Sequence, residues 1–159
     1  MKGNEQIVVE YALPAPPQQV WRTLTEPNLL AIWLMASDIV PLVGHKFKFR
    51  SEPRGDWNGI VDCQVLEVDP DARLAYTWNG GSNALPEGGY KMETTVTWTL
   101  EEAAGGGTLL KLVHHGFHPD DGAFAMLNHG WRSKGPGIEK ALAAISEMEH
   151  GERLQEAGR

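Results

Sequence analysis

Hydrophobic and polar positions divide the chain into three stretches with different periods. Gln6–Leu13 alternates loosely and is rich in β-branched residues, which predicts a strand. Pro14, Pro16 and Pro17 end it, and the last of these suits the first turn of a helix, where a missing N–H is unneeded. Val20, Trp21 and Leu24 then fall at helical spacing within Gln18–Thr25, and Leu29, Leu30, Ile32 and Trp33 mark a second short helix after Thr25-Glu26-Pro27. From Ser37 to Phe117 the pattern predicts strands over Asp38–Leu42, His45–Arg50, Trp57–Val68, Leu74–Trp78, Tyr90–Glu101 and Thr108–Gly116. Val43-Gly44, Pro53–Asp56, Asp69–Asp71 and Gly105–Gly107 have turn chemistry, so consecutive strands should pair as antiparallel hairpins. Asn79–Gly89, rich in glycine, reads as a loop at the sheet rim.

The last third returns to a helical period. Pro119-Asp120-Asp121 supplies an N-cap, with Phe124, Leu127 and Trp131 on one face and Ile138, Leu142, Ile145 and Met148 continuing it. Gly135-Pro136-Gly137 interrupts the run, which predicts a break or strong kink in a helix over Asp121–Met148. The architecture expected is α+β, a curved antiparallel sheet wrapped around a long C-terminal helix, with two short helices after the first strand. One domain should occupy residues 1–150, followed by a polar tail over 151–159. A curved sheet closing on one helix leaves room for a cavity between them.

Composition narrows the classes of function. At 159 residues, with 42% hydrophobic and 22% charged, the chain is one globular domain that needs no disulfide or metal to hold it. Fourteen basic against 21 acidic residues give a net charge of −7, which argues against nucleic acid or an anionic membrane as partner. Cys63 is the single cysteine, so no internal disulfide forms. The polar start carries no signal-peptide pattern and no apolar run spans a bilayer, so the expected setting is cytoplasmic, without membrane insertion.

Tryptophan supplies 6 of the 13 aromatic residues, and strand parity gathers several on one face. Leu74, Tyr76 and Trp78 share a side, as do Val96, Trp98 and Leu100, and Leu110, Leu112 and His114; Lys111 marks the opposite side as solvent. Phe47 and Phe49 share a parity that joins them to this face. Either these aromatics fill a core, or they line an apolar pocket with a few polar anchors.

Several blocks resemble the START-like (SRPBCC, helix-grip) superfamily. They are Pro17–Pro27, Leu30–Trp33, Val43–Phe49, Leu74–Trp78, Val96–Leu100, Gly107-Thr108 through His114–Phe117, and Gly130-Trp131. Within that superfamily they are similar to the Aha-type subgroup, named after the activator of the ninety-kilodalton heat-shock-protein ATPase. The resemblance runs from Ile7 to about Met148. It implies a helix-grip fold with a cavity used elsewhere in the superfamily for lipids, hormones, polyketides or sequestered toxic molecules, and in one branch a co-chaperone role.

The reading reached from the residues is non-enzymatic binding of a small apolar or aromatic ligand. The expected pocket is lined by Trp33, Phe49, Tyr76, Trp78, Trp98, His114, Leu127 and Trp131, with no cofactor. A cyclase-like or hydrolase-like enzyme with His114 as acid/base is the alternative, and a chaperone partner a third. The chain has no nucleophile-elbow or phosphate-loop motif. His114, His115 and His118 are not expected to hold a metal, because adjacent strand residues point to opposite faces.

Overall fold

The computed structural model describes residues 4–55, 57–82, 90–118 and 122–157. Seven strands form one sheet: β1 (Glu5–Leu13), β2 (Ala36–Ser37), β3 (Lys46–Arg50), β4 (Trp57–Asp69), β5 (Arg73–Ser82), β6 (Tyr90–Glu102) and β7 (Thr108–Phe117). Helices α1 (Pro17–Thr25) and α2 (Pro27–Trp33) follow β1, and α3 (Gly122–Arg132) and α4 (Gly135–Ala157) close the chain. The strand order is β1-β7-β6-β5-β4-β3-β2 with every pair antiparallel. The meander β2 to β7 is thus a run of hairpins, and β1 docks on β7. This is the α+β helix-grip architecture.

The predicted inward parity holds along the regular strands. Leu74, Tyr76, Trp78, Val96, Trp98, Leu100, Leu110, Leu112 and His114 are all buried, and so are Phe47 and Phe49. Near the end of β7 the pattern shifts at Gly116, where φ is +105° and the pairing to β1 slips between Glu5 and Gln6. This bulge turns Phe117 inward beside His114, with ring centroids 4.6 Å apart.

Four local outcomes differ from the sequence pattern or decide between its alternatives. Asp38–Leu42 is not a strand; only Ala36–Ser37 pairs with β3. Local bonds compete for that backbone: the Ser37 hydroxyl accepts the Ile39 N–H at 3.2 Å, the Asp38 carboxylate accepts the Lys48 N–H at 2.8 Å, and Pro41 has no N–H to give. Second, β5 continues through Asn79–Ser82, because Gly80 and Gly81 pair with β6 despite their composition. The remainder of the expected rim loop, 83–89, lies outside the described residues, as does the Pro119–Asp121 cap.

Third, the terminal helix is broken rather than kinked. Trp131 and Gly130 carbonyls accept the N–H groups of Lys134 and Ser133 to close α3, and the Ile138 N–H to Lys134 carbonyl bond, 3.0 Å, opens α4. Pro136 therefore falls in the first turn of α4, where its missing N–H is harmless. Gly137 lets that turn approach α2, since a Cβ there would lie 3.1 Å from the Trp33 Cβ. Fourth, the helix does not give way to a tail at Gly151 but runs to Ala157, through Glu, Arg, Leu, Gln and Ala, all good helix formers.

The break divides the interior in two. Ile138, Ala141, Leu142 and Ile145 of α4 are buried against α1, α2 and β1. On α3 only Trp131 is buried among the described side chains. One end of the sheet is filled, and the other is covered loosely.

Candidate ligand-binding cavity

Between α3 and the concave face of the sheet lies a cavity of about 650 Å³. Its origin is a shortage of side chains where two elements face each other. Along the inward parity of β5, Leu74, Tyr76 and Trp78 fill the interior, but the next position is Gly80. Across from it, Ala123 and Gly130 occupy the inner face of α3, and a Cβ at Gly130 would meet nothing within 4 Å. Ala123, Met126, Leu127, Gly130, Trp131 and Lys134 recur at spacings of three and four residues, so the helical repeat presents them all to the cavity.

The sides come from three other places. The α2–β2 connection gives Leu34 and Met35, the β3–β4 connection gives Ser51 and Arg54, β4 gives Trp57 and Val61, and β6 gives Met92. Gly59 makes the second of these placements feasible. It has φ +80°, and a Cβ there would overlap the Ser51 carbonyl oxygen, so only glycine lets the connection fold back on β4. The Trp57 indole N–H is held by the Ile60 carbonyl at 3.1 Å, and Met126 and Arg54 are exposed at the mouth.

Of the eight residues expected to line a pocket, Trp78, Leu127 and Trp131 do so. The other five stand behind that wall. Phe49 packs on Trp78 at 5.3 Å between ring centroids, Trp98 meets Trp131 edge-on at 5.6 Å, and Trp33 and Tyr76 lie one layer further in, against Trp98 and Phe49. Their polar tips are spent within the core: Trp33 Nε1 donates to the Thr23 carbonyl at 2.8 Å and Trp98 Nε1 to the Tyr76 hydroxyl at 3.0 Å. They make the floor rigid without touching the space above it.

His114 is the fifth, and its chemistry is fully assigned. Trp131 Nε1 donates to His114 Nδ1 at 3.0 Å, so that nitrogen carries no proton. The ring proton is then on Nε2, 2.7 Å from Thr94 Oγ1, and the Thr94 hydroxyl gives its own proton to the Trp78 carbonyl at 2.7 Å. The chain Trp131–His114–Thr94–Trp78 thus ties two of the cavity tryptophans together from behind. Burial, and to a smaller extent the charge of neighbouring His115, push the His114 pKa down to about 3. Enclosed, neutral and bonded at both nitrogens, His114 stands behind the wall, with neither nitrogen free.

Trp78 differs from the other core indoles. Its N–H makes no hydrogen bond to any described residue, while no fully buried side-chain nitrogen or oxygen lacks a partner among them. The Trp78 ring lines the cavity. His115 and His118 are exposed, on the far side of β7 and beyond its end, so the three histidines do not converge. Cys63 is buried, and burial raises its thiol pKa, which leaves it an inert small hydrophobe.

Strand parity missed most of the lining because it comes from connections and from α3, and in part from residues with little or no side chain. Gly80 on the inward parity after Trp78, and Ala123 with Gly130 at helical spacing, were the available signals. Ser51, Arg54 and Trp57 were not reachable, since their position depends on the turn at Gly59.

Fold and cavity together define a helix-grip domain with a ligand-sized interior. The sequence model of the family described as "Activator of Hsp90 ATPase homolog 1-like protein" matches residues 14–143, and the chain belongs to that family. Among solved structures, protein MLL2253 from Mesorhizobium loti is 36% identical, with a TM-score of 0.74 over 88% of this chain and 98% of that one. DynU16, from the dynemicin biosynthetic locus, is 25% identical with a TM-score of 0.68, covering 88% of this chain and 48% of its own. The Aha1 dimer from Colwellia psychrerythraea, 22% identical, shares the fold with a TM-score of 0.68 over 87% of this chain and 96% of that one. No curated protein matches the sequence. No described helix is long and apolar enough to cross a membrane.

Proposed function

We propose that this protein binds a small aromatic or otherwise apolar molecule between α3 and the sheet, and releases it unchanged. The observation that carries the reading is the cavity itself. Its volume is in the range that holds drug-sized ligands, and it is kept open by Ala123 and Gly130 where a core would place larger side chains. Trp57, Trp78 and Trp131 offer flat apolar walls, and Met35, Met92 and Met126 offer a soft, adaptable lining. The likeness to DynU16, a protein in the dynemicin biosynthetic locus, agrees with a small-molecule guest. An enzymatic reading through His114 has no support, because that residue neither faces the cavity nor has a free nitrogen.

The test is titration with N-phenyl-1-naphthylamine, a neutral aromatic probe that fluoresces in apolar surroundings. Saturable one-to-one emission, with matching loss of tryptophan fluorescence, is the expected result. A signal that rises without saturation would reduce the cavity to a packing defect.

A second reading, a protein-interaction domain, has one observation in its favour. Leu42 and Val43 are 64% and 67% exposed in the β2–β3 connection, with Val40 and Leu66 also exposed. Leu42→Ser with Val43→Ser would abolish a partner interaction made there and leave the probe titration unchanged.

A further inference from the structure

The polar groups of the cavity have one sign. Arg54 and Lys134 both line it, from the β3–β4 connection and from the turn between α3 and α4, and no aspartate or glutamate stands among its described lining residues. That is notable in a chain with 21 acidic residues against 14 basic ones. Among the described residues Arg22 pairs with Glu26 and Glu149, Lys48 with Asp62, and Arg73 with Glu67. Arg54 and Lys134 have no carboxylate partner among the described residues. Lys134 is moreover half-buried, where an ammonium loses part of its hydration and gains from an anion brought to it.

We infer that the ligand is an amphipathic aromatic acid, with its ring system between Trp78, Trp57 and Trp131 and its carboxylate held between Arg54 and Lys134. Arg54 suits that role, because its planar fork matches two carboxylate oxygens, while Lys134 adds a point charge from the turn between α3 and α4. The cavity thus has an apolar body and two cations among its lining residues. This inference rests on the ligand-binding reading above and specifies its chemical class.

Calorimetric titration with two matched probes, 2-naphthoate and 2-naphthamide, at neutral pH and low salt tests it. The wild-type protein should bind 2-naphthoate about tenfold more tightly than the amide, and the preference should shrink at high salt. Arg54→Gln with Lys134→Gln should erase the preference, lowering 2-naphthoate affinity about tenfold towards that of 2-naphthamide. Both residues are accessible, so the variant's melting temperature should match the wild type and confirm its fold. Equal affinity of the wild type for the two probes overturns the acid preference and leaves the cavity reading standing, as does a preference that survives in the double variant. If neither probe binds, both the inference and the reading beneath it fall.

Discussion

At the scale of single residues, the chain Trp131–His114–Thr94–Trp78 couples protonation to folding. Trp131 donates to His114 Nδ1, so a second ring proton would have to sit against an N–H already pointing at it. In the unfolded chain an imidazole takes up a proton near pH 6.5, whereas folding pushes that event down to about 3. Stability from a neutral His114 is therefore fully present above pH 6.5. It is lost as pH falls towards 3, at roughly 1.4 kcal/mol per pH unit. Denaturant unfolding at pH 7 and pH 5 should show a loss of about 2 kcal/mol from this residue, a window in which most carboxylates stay ionised. His114→Phe should be less stable at pH 7 by about 1–3 kcal/mol, because the Trp131 N–H loses its buried acceptor. The variant should also show a shallower fall between the two pH values. Parallel pH dependence in the two proteins would mean that His114 charges in the folded state and that the hydrogen-bond chain does not hold.

At the scale of elements, α3 is a helix whose inner face is built to leave space. Gly130 stands near its end, and a glycine inside a helix costs about 1 kcal/mol relative to alanine. Nothing in the fold requires it: the site is open to a Cβ, and the residue does not take a positive φ. Gly130→Leu is therefore expected to raise stability by about 0.5–1 kcal/mol, from helix propensity and newly buried methyl groups. It should also lower affinity for N-phenyl-1-naphthylamine at least tenfold by occupying the cavity. Stability and binding moving in opposite directions would mark the glycine as kept for the ligand. Undiminished binding would place the probe elsewhere.

The same element shows what could be seen in advance. Strand parity in β5, β6 and β7 was legible because regular pairing forces side chains to alternate, so Tyr76, Trp98 and His114 were correctly turned inward. What parity does not report is whether an inward residue meets another side chain or empty space. That depends on the residue opposite, and Gly80 facing α3 across the interior is a tertiary fact. The break at Ser133–Lys134 was half legible: Gly135-Pro136-Gly137 announced it, but only the bonds closing α3 fixed that it separates two helices.

At the scale of the whole molecule, the two ends of the interior should differ in stability. The α4 end is sealed by Ile138, Ala141, Leu142 and Ile145, all buried, whereas α3 is anchored chiefly by Trp131 and by Phe124 stacked edge-on with Phe117 at 5.3 Å. Local opening costs least where little apolar surface is lost, so α3 should part from the sheet well before the domain unfolds. Such opening also supplies a route for a guest to enter a cavity whose floor is rigid. Hydrogen exchange read by mass spectrometry should accordingly show amides of 124–132 exchanging faster than those of 138–149. Saturating N-phenyl-1-naphthylamine should slow exchange in 124–132, because α3 then gains contacts on its inner face, and leave 138–149 nearly unchanged. The gain in α3 protection should follow probe occupancy, reaching about 2.7 kcal/mol when free probe is a hundredfold above its dissociation constant. Uniform protection of both helices without probe would mean that they open as one unit, and that a ligand enters without α3 moving.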